Sequence, residues 1–215
     1  MSPRLFITFE GIDGSGKTTQ IELLQKKMSE LGYEYTFIRE PGSTAIGEKI
    51  RQILLSPESK EMHLATEVML YTAARAQLVH EVINPALEEE QAVICDRYIH
   101  STLAYQGYGL GYDLEQIRTL NREAIGGTWP DLTFVLDLDV EESFQRCSQK
   151  HQAEGQGKDR IEQRSFEFYH RVREGYLAMA KADPKRMVVI PPHLNIEEAH
   201  QKIWGIIYDK IGSGL

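Results

Sequence analysis

The run Gly11-Ile12-Asp13-Gly14-Ser15-Gly16-Lys17-Thr18 satisfies the pattern G-x-x-x-x-G-K-[ST] at every fixed position. Glycines at these places let the backbone curl until several N–H groups converge on one anion, and a helix starting there adds the positive end of its dipole. Lys17 is then spaced to reach the outer phosphates of a nucleotide, and the Thr18 hydroxyl to ligate Mg²⁺. The flanks supply the context this chemistry needs. Leu5-Phe6-Ile7-Thr8-Phe9 is a short apolar, β-prone run, and Ile21, Leu24 and Met28 follow the loop at helical spacing. Strand, loop and helix come in the required order, which argues against a mere glycine-rich turn.

A second charged cluster, Asp96-Arg97-Tyr98, directly follows the apolar run Ala92-Val93-Ile94-Cys95. In an open parallel sheet, ligands bind beyond the carboxyl ends of the strands. Asp96 is therefore placed to orient a metal ion or its water, and Arg97 to clamp a second phosphate with its planar fork. A structural ion pair at the strand end is the alternative reading. Tyr71 and Arg75 stand four residues apart and share a helix face with Leu64, Val68, Leu78 and Val82. A ring beside a guanidinium suits a base, one stacking on it and the other reading an acceptor. A buried arginine neutralised by a carboxylate fits the same pattern.

These residues need a scaffold that gathers distant segments at one edge. Strand-like runs occur at 5–9, 33–38, 92–95, 132–138 and 187–190. Helix-like runs lie between and after them, at 19–28, 45–55, 63–90 (with Pro85 as kink or boundary), 101–106, 113–125, 141–150, 161–182 and 196–211. Gly32 reads as a helix stop and Gly107–Gly111 as a glycine-rich separator. The alternation predicts an α/β domain with a parallel sheet covered on both faces. The least structured interior stretch, Lys150–Lys158, is polar and holds Gly155 and Gly157. It reads either as a plain surface loop or as a flap that closes over a nucleotide and excludes water.

A length of 215 residues fits one domain, and 41% hydrophobic with 26% charged residues is ordinary for a globular chain. The net charge of −8 argues against broad nucleic-acid binding, while a local cluster of cations still accommodates a small anion. Cys95 and Cys147 stand in no metal or redox spacing and suit a reducing compartment. With no basic-then-apolar leader and no apolar run long enough for a bilayer, the cytoplasm is the expected location.

In order and spacing, the motifs closely resemble those of bacterial thymidylate kinases, P-loop nucleoside monophosphate kinases that phosphorylate dTMP to dTDP with ATP, in dTTP biosynthesis. The resemblance runs from Phe9-Glu10-Gly11 to at least Tyr176. It is carried by the phosphate loop, Arg39-Glu40-Pro41-Gly42-Ser43-Thr44, Tyr71-Thr72-Ala73-Ala74-Arg75, Asp96-Arg97-Tyr98 with Ser101, Ala104-Tyr105-Gln106-Gly107, and Asp159-Arg160-Ile161-Glu162. It implies a P-loop kinase three-layer αβα fold with a five-stranded parallel sheet surrounded by helices. A single domain over residues 1–215 with a mobile lid at about 149–160 is expected, as is a homodimer.

For the site, the resemblance implies ATP on Gly11, Ile12, Asp13, Gly14, Ser15, Gly16, Lys17, Thr18 and Thr19. It implies Mg²⁺ near Thr18, Asp13, Asp96 and Glu162. Asp13 matches a carboxylate between metal and acceptor, and Arg97 with Arg51 matches residues that grip the dTMP phosphate. Tyr71 takes the place of a ring that stacks on thymine, and Arg75 that of a donor to thymine O4. Ser101, Thr102 and Gln106 lie where polar groups approach base or sugar, and Tyr105 where a ring crowds the 2′ position. Glu40 and Pro41 belong to the segment that shapes the acceptor site. Some family members carry arginine inside the loop, where this chain has Gly14 and Ser15, and others carry it in the lid, where this chain has Lys150, His151 and Lys158. Arg160 is therefore expected as the transition-state cation alongside the catalytic Asp13, Lys17 and Arg97, with Arg146 and Arg164 behind it. Residues 192–196 are expected near the adenine. The competing readings are another nucleotide kinase on the same scaffold, a P-loop switch (although no Asn-Lys-x-Asp motif occurs), and a weakened paralogue.

Overall fold

The computed structural model describes residues 4–155 and 157–212. Its sheet has five strands, β1 (Leu5–Glu10), β2 (Tyr35–Arg39), β3 (Ala92–Asp96), β4 (Leu132–Leu136) and β5 (Met187–Ile190). All neighbours are parallel, in the order β2-β3-β1-β4-β5. Parallel strands need crossovers, and these are helical. In chain order the helices are α1 (Lys17–Glu30), α2 (Ala45–Leu55), α3 (Leu64–Leu78), α4 (Asn84–Glu88), α5 (Ile99–Thr102), α6 (Leu114–Ile125), α7 (Val140–Glu154), α8 (Phe166–Ala182) and, after the last strand, α9 (Ile196–Gly212).

Side-chain alternation along β1 divides the core. Leu5, Ile7 and Phe9 face α1 and α9, where Ile21, Leu24, Met28, Ile203 and Ile207 close one layer. Phe6 faces the other layer with Val93, Cys95, Leu78, Ile83 and Ile125. Further along that side, α8 covers Val135 with Val172, Tyr176 and Met179. Fully burying each such aliphatic side chain contributes roughly 1.5–3 kcal/mol. Among the described residues, no helix is long and apolar enough to cross a membrane.

Several boundaries differ from the sequence expectation, each for a physical reason. The stretch expected as one helix from 63 to 90 runs as α3, a π-helical turn Val79–Ile83, and α4. That wide turn immediately precedes the segment holding Pro85, whose ring nitrogen has no hydrogen for the backbone ladder. The glycine-rich separator at 107–111 is largely helical too, since α5 continues into a π-helical segment Leu103–Gly109. Its glycines serve packing. A Cβ on Gly109 would stand 2.5 Å from the Phe168 ring and 2.8 Å from Val172, and one on Gly175 would stand 2.6 Å from Tyr108. The polar stretch at 150–158 is helical as far as Glu154, because α7 continues until Gly155 turns left-handed. Gln156, inside the expected lid, lies outside the described residues. After it, the Asp159 carboxylate accepts from Ile161 N and Glu162 N. α8 accordingly starts only at Phe166, capped by Ser165.

The close approach of α8 to the π-helical segment is testable. Gly109→Ala is expected to cost about 1–3 kcal/mol in urea unfolding with an unchanged m-value, as overpacking does. A loss of under about 0.5 kcal/mol, the usual range for surface changes, would contradict the tight packing.

Candidate active site

Three strand ends build the site. At the end of β1, the chain turns into the phosphate loop at Gly11, whose φ of 135° and Cβ position 2.5 Å from Leu136 O suit only glycine. Lys17 opens α1, is buried, and its ammonium donates back to Gly11 O (3.1 Å) and Ile12 O (3.0 Å). Burial, aided by nearby Arg97, lowers the Lys17 pKa to about 8 against the pull of Asp96, Asp13 and Glu10. An open cleft over the loop is lined by Asp13, Gly14, Ser15, Gly16, Lys17, Thr18 and Thr19, with Arg39, Arg51, Asp96, Arg97, Arg146 and Glu162 around them. Arg146 Nη1 caps Gly14 O at 3.1 Å.

At the end of β3, Arg97 adopts a left-handed backbone with φ 68°, uncommon for a side chain of this size. Its guanidinium donates to Gly11 O (2.9 Å), Asp13 (2.6 Å), Tyr105 OH (3.1 Å), Ser101 Oγ and Tyr176 OH (both 3.3 Å). Burial pushes the Asp13 carboxyl up, yet Arg97 and Lys17 outweigh it and hold the group below its ordinary value. Glu10, fully buried at the end of β1, accepts from Tyr98 N (2.8 Å), Ser101 Oγ (2.6 Å) and Tyr176 OH (3.0 Å). Burial is the dominant cause of its raised pKa.

A second cleft adjoins the loop. Asp13, Glu40, Pro41, Arg51, Tyr71, Arg75, Arg97, Ser101, Thr102, Tyr105 and Gln106 all line it, so the structure brings the whole expected acceptor set together. Leu55, Asp159 and Ile161 complete the wall. Pro41 follows Glu40 across a cis peptide bond, and its carbonyl accepts from Arg51 at 2.9 Å.

Two of the expected arginines are tied to buried carboxylates. Arg75 is 1% exposed, and its donors go to Glu40 (2.8 and 2.5 Å), Thr102 Oγ1 (3.0 Å), Asn121 Oδ1 (2.6 Å) and Tyr98 O (3.0 Å). With all five N–H groups engaged, it reaches a base only by sharing one of them. Arg160, expected as a transition-state cation, does not line the phosphate cleft. Its Nη1 instead pairs with buried Glu67 at 2.6 Å and its Nε donates to Leu54 O at 2.8 Å. A carboxylate four residues before Tyr71 captures it, so Arg39, Arg51, Arg97 and Arg146 are the arginines around the loop.

The residues expected to hold a metal, Thr18, Asp13, Asp96 and Glu162, all line the phosphate cleft. Asp96 Oδ1 is buried without a partner, and Asp96 shares the phosphate cleft with Thr18. Glu162 lines the same cleft and is also engaged by His151 Nε2 (3.1 Å) and Asp159 N (2.9 Å). Among the described residues, no three His, Cys, Asp or Glu side chains form a cage for an ion. That arrangement fits Mg²⁺, which takes one or two protein groups and completes its shell with phosphate and water. On the far side of the loop, a third cleft is lined by Ser15, Thr19, Gln20, Arg146, Pro192, Leu194, Asn195 and Ile196, among others. The sequence reading did not single out Glu67, Asn121 or Tyr176 as site residues. Glu67 was the readable one, since positions 67, 71 and 75 recur on one helix face.

Comparison with known proteins gives a consistent answer. A family model described as "Thymidylate kinase" matches residues 9–203. The chain is 48% identical to the thymidylate kinase of Pelotomaculum thermopropionicum, over 92% of this chain and 93% of that protein. It is 44% identical to that of Kosmotoga olearia, over 98% and 100% respectively. Among solved structures, the thymidylate kinase from Ehrlichia chaffeensis superimposes with a TM-score of 0.77 at 35% identity, covering 94% of this chain and 98% of that one.

The buried Arg75–Glu40 pair carries a pH dependence. Burial pushes the Glu40 carboxyl up to about 7 from its ordinary 4.5, against the pull of Arg75. Between those values the folded chain holds a proton that the unfolded chain has lost, so this contribution to stability is present at low pH and disappears as pH rises to about 7. Urea unfolding at about pH 5 and about pH 7 is expected to show a smaller change for Glu40→Gln than for the parent. Equal changes would assign the effect elsewhere.

Proposed function

The chain belongs to the thymidylate kinase family, and from that premise we propose that it transfers the γ-phosphoryl group of ATP directly to dTMP, giving ADP and dTDP for dTTP synthesis. The observation that carries this reading is the pairing of two clefts across Arg97 and Asp13, one over the phosphate loop and one lined by the complete acceptor set. The acceptor phosphate is an anion at neutral pH and is its own nucleophile, so no general base and no covalent enzyme intermediate are needed. The protein's task is positioning and charge neutralisation.

Lys17 and the loop N–H groups hold the donor phosphates, and Arg97 with Arg51 holds the acceptor phosphate. Arg146, already on Gly14 O, adds charge on the donor side. Asp13 lies between the two substrates and fixes the Arg97 fork. Thr18 and Asp96, with Asp13 close by, would hold Mg²⁺, which would supply neutralisation of the phosphate oxygens when bound. Tyr71 stacks on the base, Thr102, Gln106 and Arg75 read its polar edge, and Tyr105 crowds the sugar 2′ position. Ser15, Thr19 and the stretch from Pro192 to Ile196 flank the adenine side. Residues 149–160 act as a lid within a single domain.

We also read the protein as a cytoplasmic homodimer. Exposed Ile46 and Ile53 on α2 and Met69 on α3 give neighbouring helices an apolar face, and both cysteines are free.

A coupled assay with ATP and Mg²⁺ across dTMP, dUMP, dCMP and thymidine tests the assignment. dTMP is expected to be the preferred acceptor, with dTDP identified by chromatography; preference for dCMP or thymidine would overturn it. Arg97→Ala is expected to lower kcat/KM for dTMP by about 100-fold or more, since charge-assisted hydrogen bonds to the phosphate and to Asp13 vanish together. A change of under about threefold would remove Arg97 from acceptor binding.

A further inference from the structure

Glu67 lies outside both clefts, yet it is a buried carboxylate joined to two parts of the acceptor wall. Its Oε1 accepts from Gln106 Nε2 at 2.8 Å, and Gln106 lines the acceptor cleft. Its Oε2 accepts from Arg160 Nη1 at 2.6 Å and from Arg164 Nη2 at 3.4 Å. Glu67 is 1% and Arg160 6% exposed, so water does not substitute for either partner. Arg160 is further fixed through Nε to Leu54 O (2.8 Å) and through its backbone N to Leu55 O (3.0 Å). On either side of Arg160, Asp159 and Ile161 face the acceptor cleft, as does Leu55.

The physical consequence concerns coupling. The segment carrying Asp159 and Ile161 contributes to the acceptor wall only while Arg160 is docked, and what docks it is a carboxylate that also aims Gln106. A ligand that contacts this wall favours the docked arrangement, and by linkage the docked arrangement favours the ligand. Breaking one side of a buried ion pair leaves the other charge unpaired, so docking depends steeply on Glu67.

We infer that Glu67 is a positioning residue for the acceptor: through Arg160 and Gln106 it ties the C-terminal end of the lid segment to the acceptor cleft, so that the nucleoside monophosphate and lid docking favour one another. This rests on the acceptor-site reading above. Arg160 thereby acts as a latch that responds to acceptor, not as a charge on the transferring phosphoryl group.

The test compares the parent with Glu67→Gln, Arg160→Met and the double variant, which removes both charges and so leaves no unpaired buried ion if a single variant folds poorly. KM for dTMP is expected to rise about tenfold in each, KM for ATP to change by less than about twofold, and the double variant to be no worse than the worse single one. In parallel, dTMP without ATP is expected to slow trypsin cleavage after Lys150 or Lys158 in the parent and not in the variants. Unchanged KM for dTMP, equal rises for both substrates, or dTMP protection retained in the variants would overturn the inference. A parent that transfers no phosphoryl group to dTMP would instead overturn the function reading.

Discussion

The buried carboxylate of Glu10 is the constraint around which the site is arranged. It ends the central strand with no exposure to water, and such a charge persists only when surrounded by donors. Tyr98 N and Ser101 Oγ from the start of α5, and Tyr176 OH from α8, meet that demand. Satisfying Glu10 therefore draws β3, α5 and α8 to one point, and the same point fixes the two hydroxyls that flank the Arg97 fork. Arg97 in turn bonds the phosphate loop at Gly11 O and the loop carboxylate of Asp13. A network of this kind is rigid because every member is partnered, and costly to disturb for the same reason.

Charge in the molecule follows one recurring rule. The chain carries a net charge of −8, yet Arg39, Arg51, Arg97, Arg146 and Lys17 crowd the phosphate cleft. The deeper arginines come with resident acidic partners: Arg75 with Glu40, Arg97 with Asp13, Arg160 with Glu67. These pairs hold the forks in place before any ligand arrives, so little side-chain entropy is left to lose on binding. They also set a threshold, since an incoming phosphate must compete with Asp13 for Arg97. Arg51 donates to the Pro41 carbonyl, and Glu48 and Asp159 are the carboxylates whose charge it feels.

Much of this was legible in the sequence, because local patterns encode local geometry. The phosphate loop and the alternation of strands and helices were readable from residue types and spacing, and the gathering of the residues from Asp13 to Gln106 at one cleft from the family resemblance. What was not legible depended on partners far apart in the chain. Glycine at 109 looks like a loop signal, but the reason for it is the ring of Phe168 and the side chain of Val172, which local sequence does not bring near. Arg160 reads as a free cation until Glu67, distant along the chain, is seen to hold it. Arg75 carried both of its meanings in the sequence, and only the positions of Glu40, Thr102 and Asn121 show how completely its donors are engaged.

The strand order has a consequence for how such a chain comes into being. β1, first to be synthesised, sits at the centre of the sheet, and its partners β3 and β4 begin only at Ala92 and Leu132. Until those segments leave the ribosome, the strand bearing the phosphate loop has two open edges and an unpaired, fully apolar face. Long-range parallel pairing of this kind is slow and leaves sticky edges exposed meanwhile. Nucleotide thus has no finished cradle to grip on the nascent chain. The loop that is written first becomes functional among the last, when the carboxyl ends of its neighbours arrive beside it.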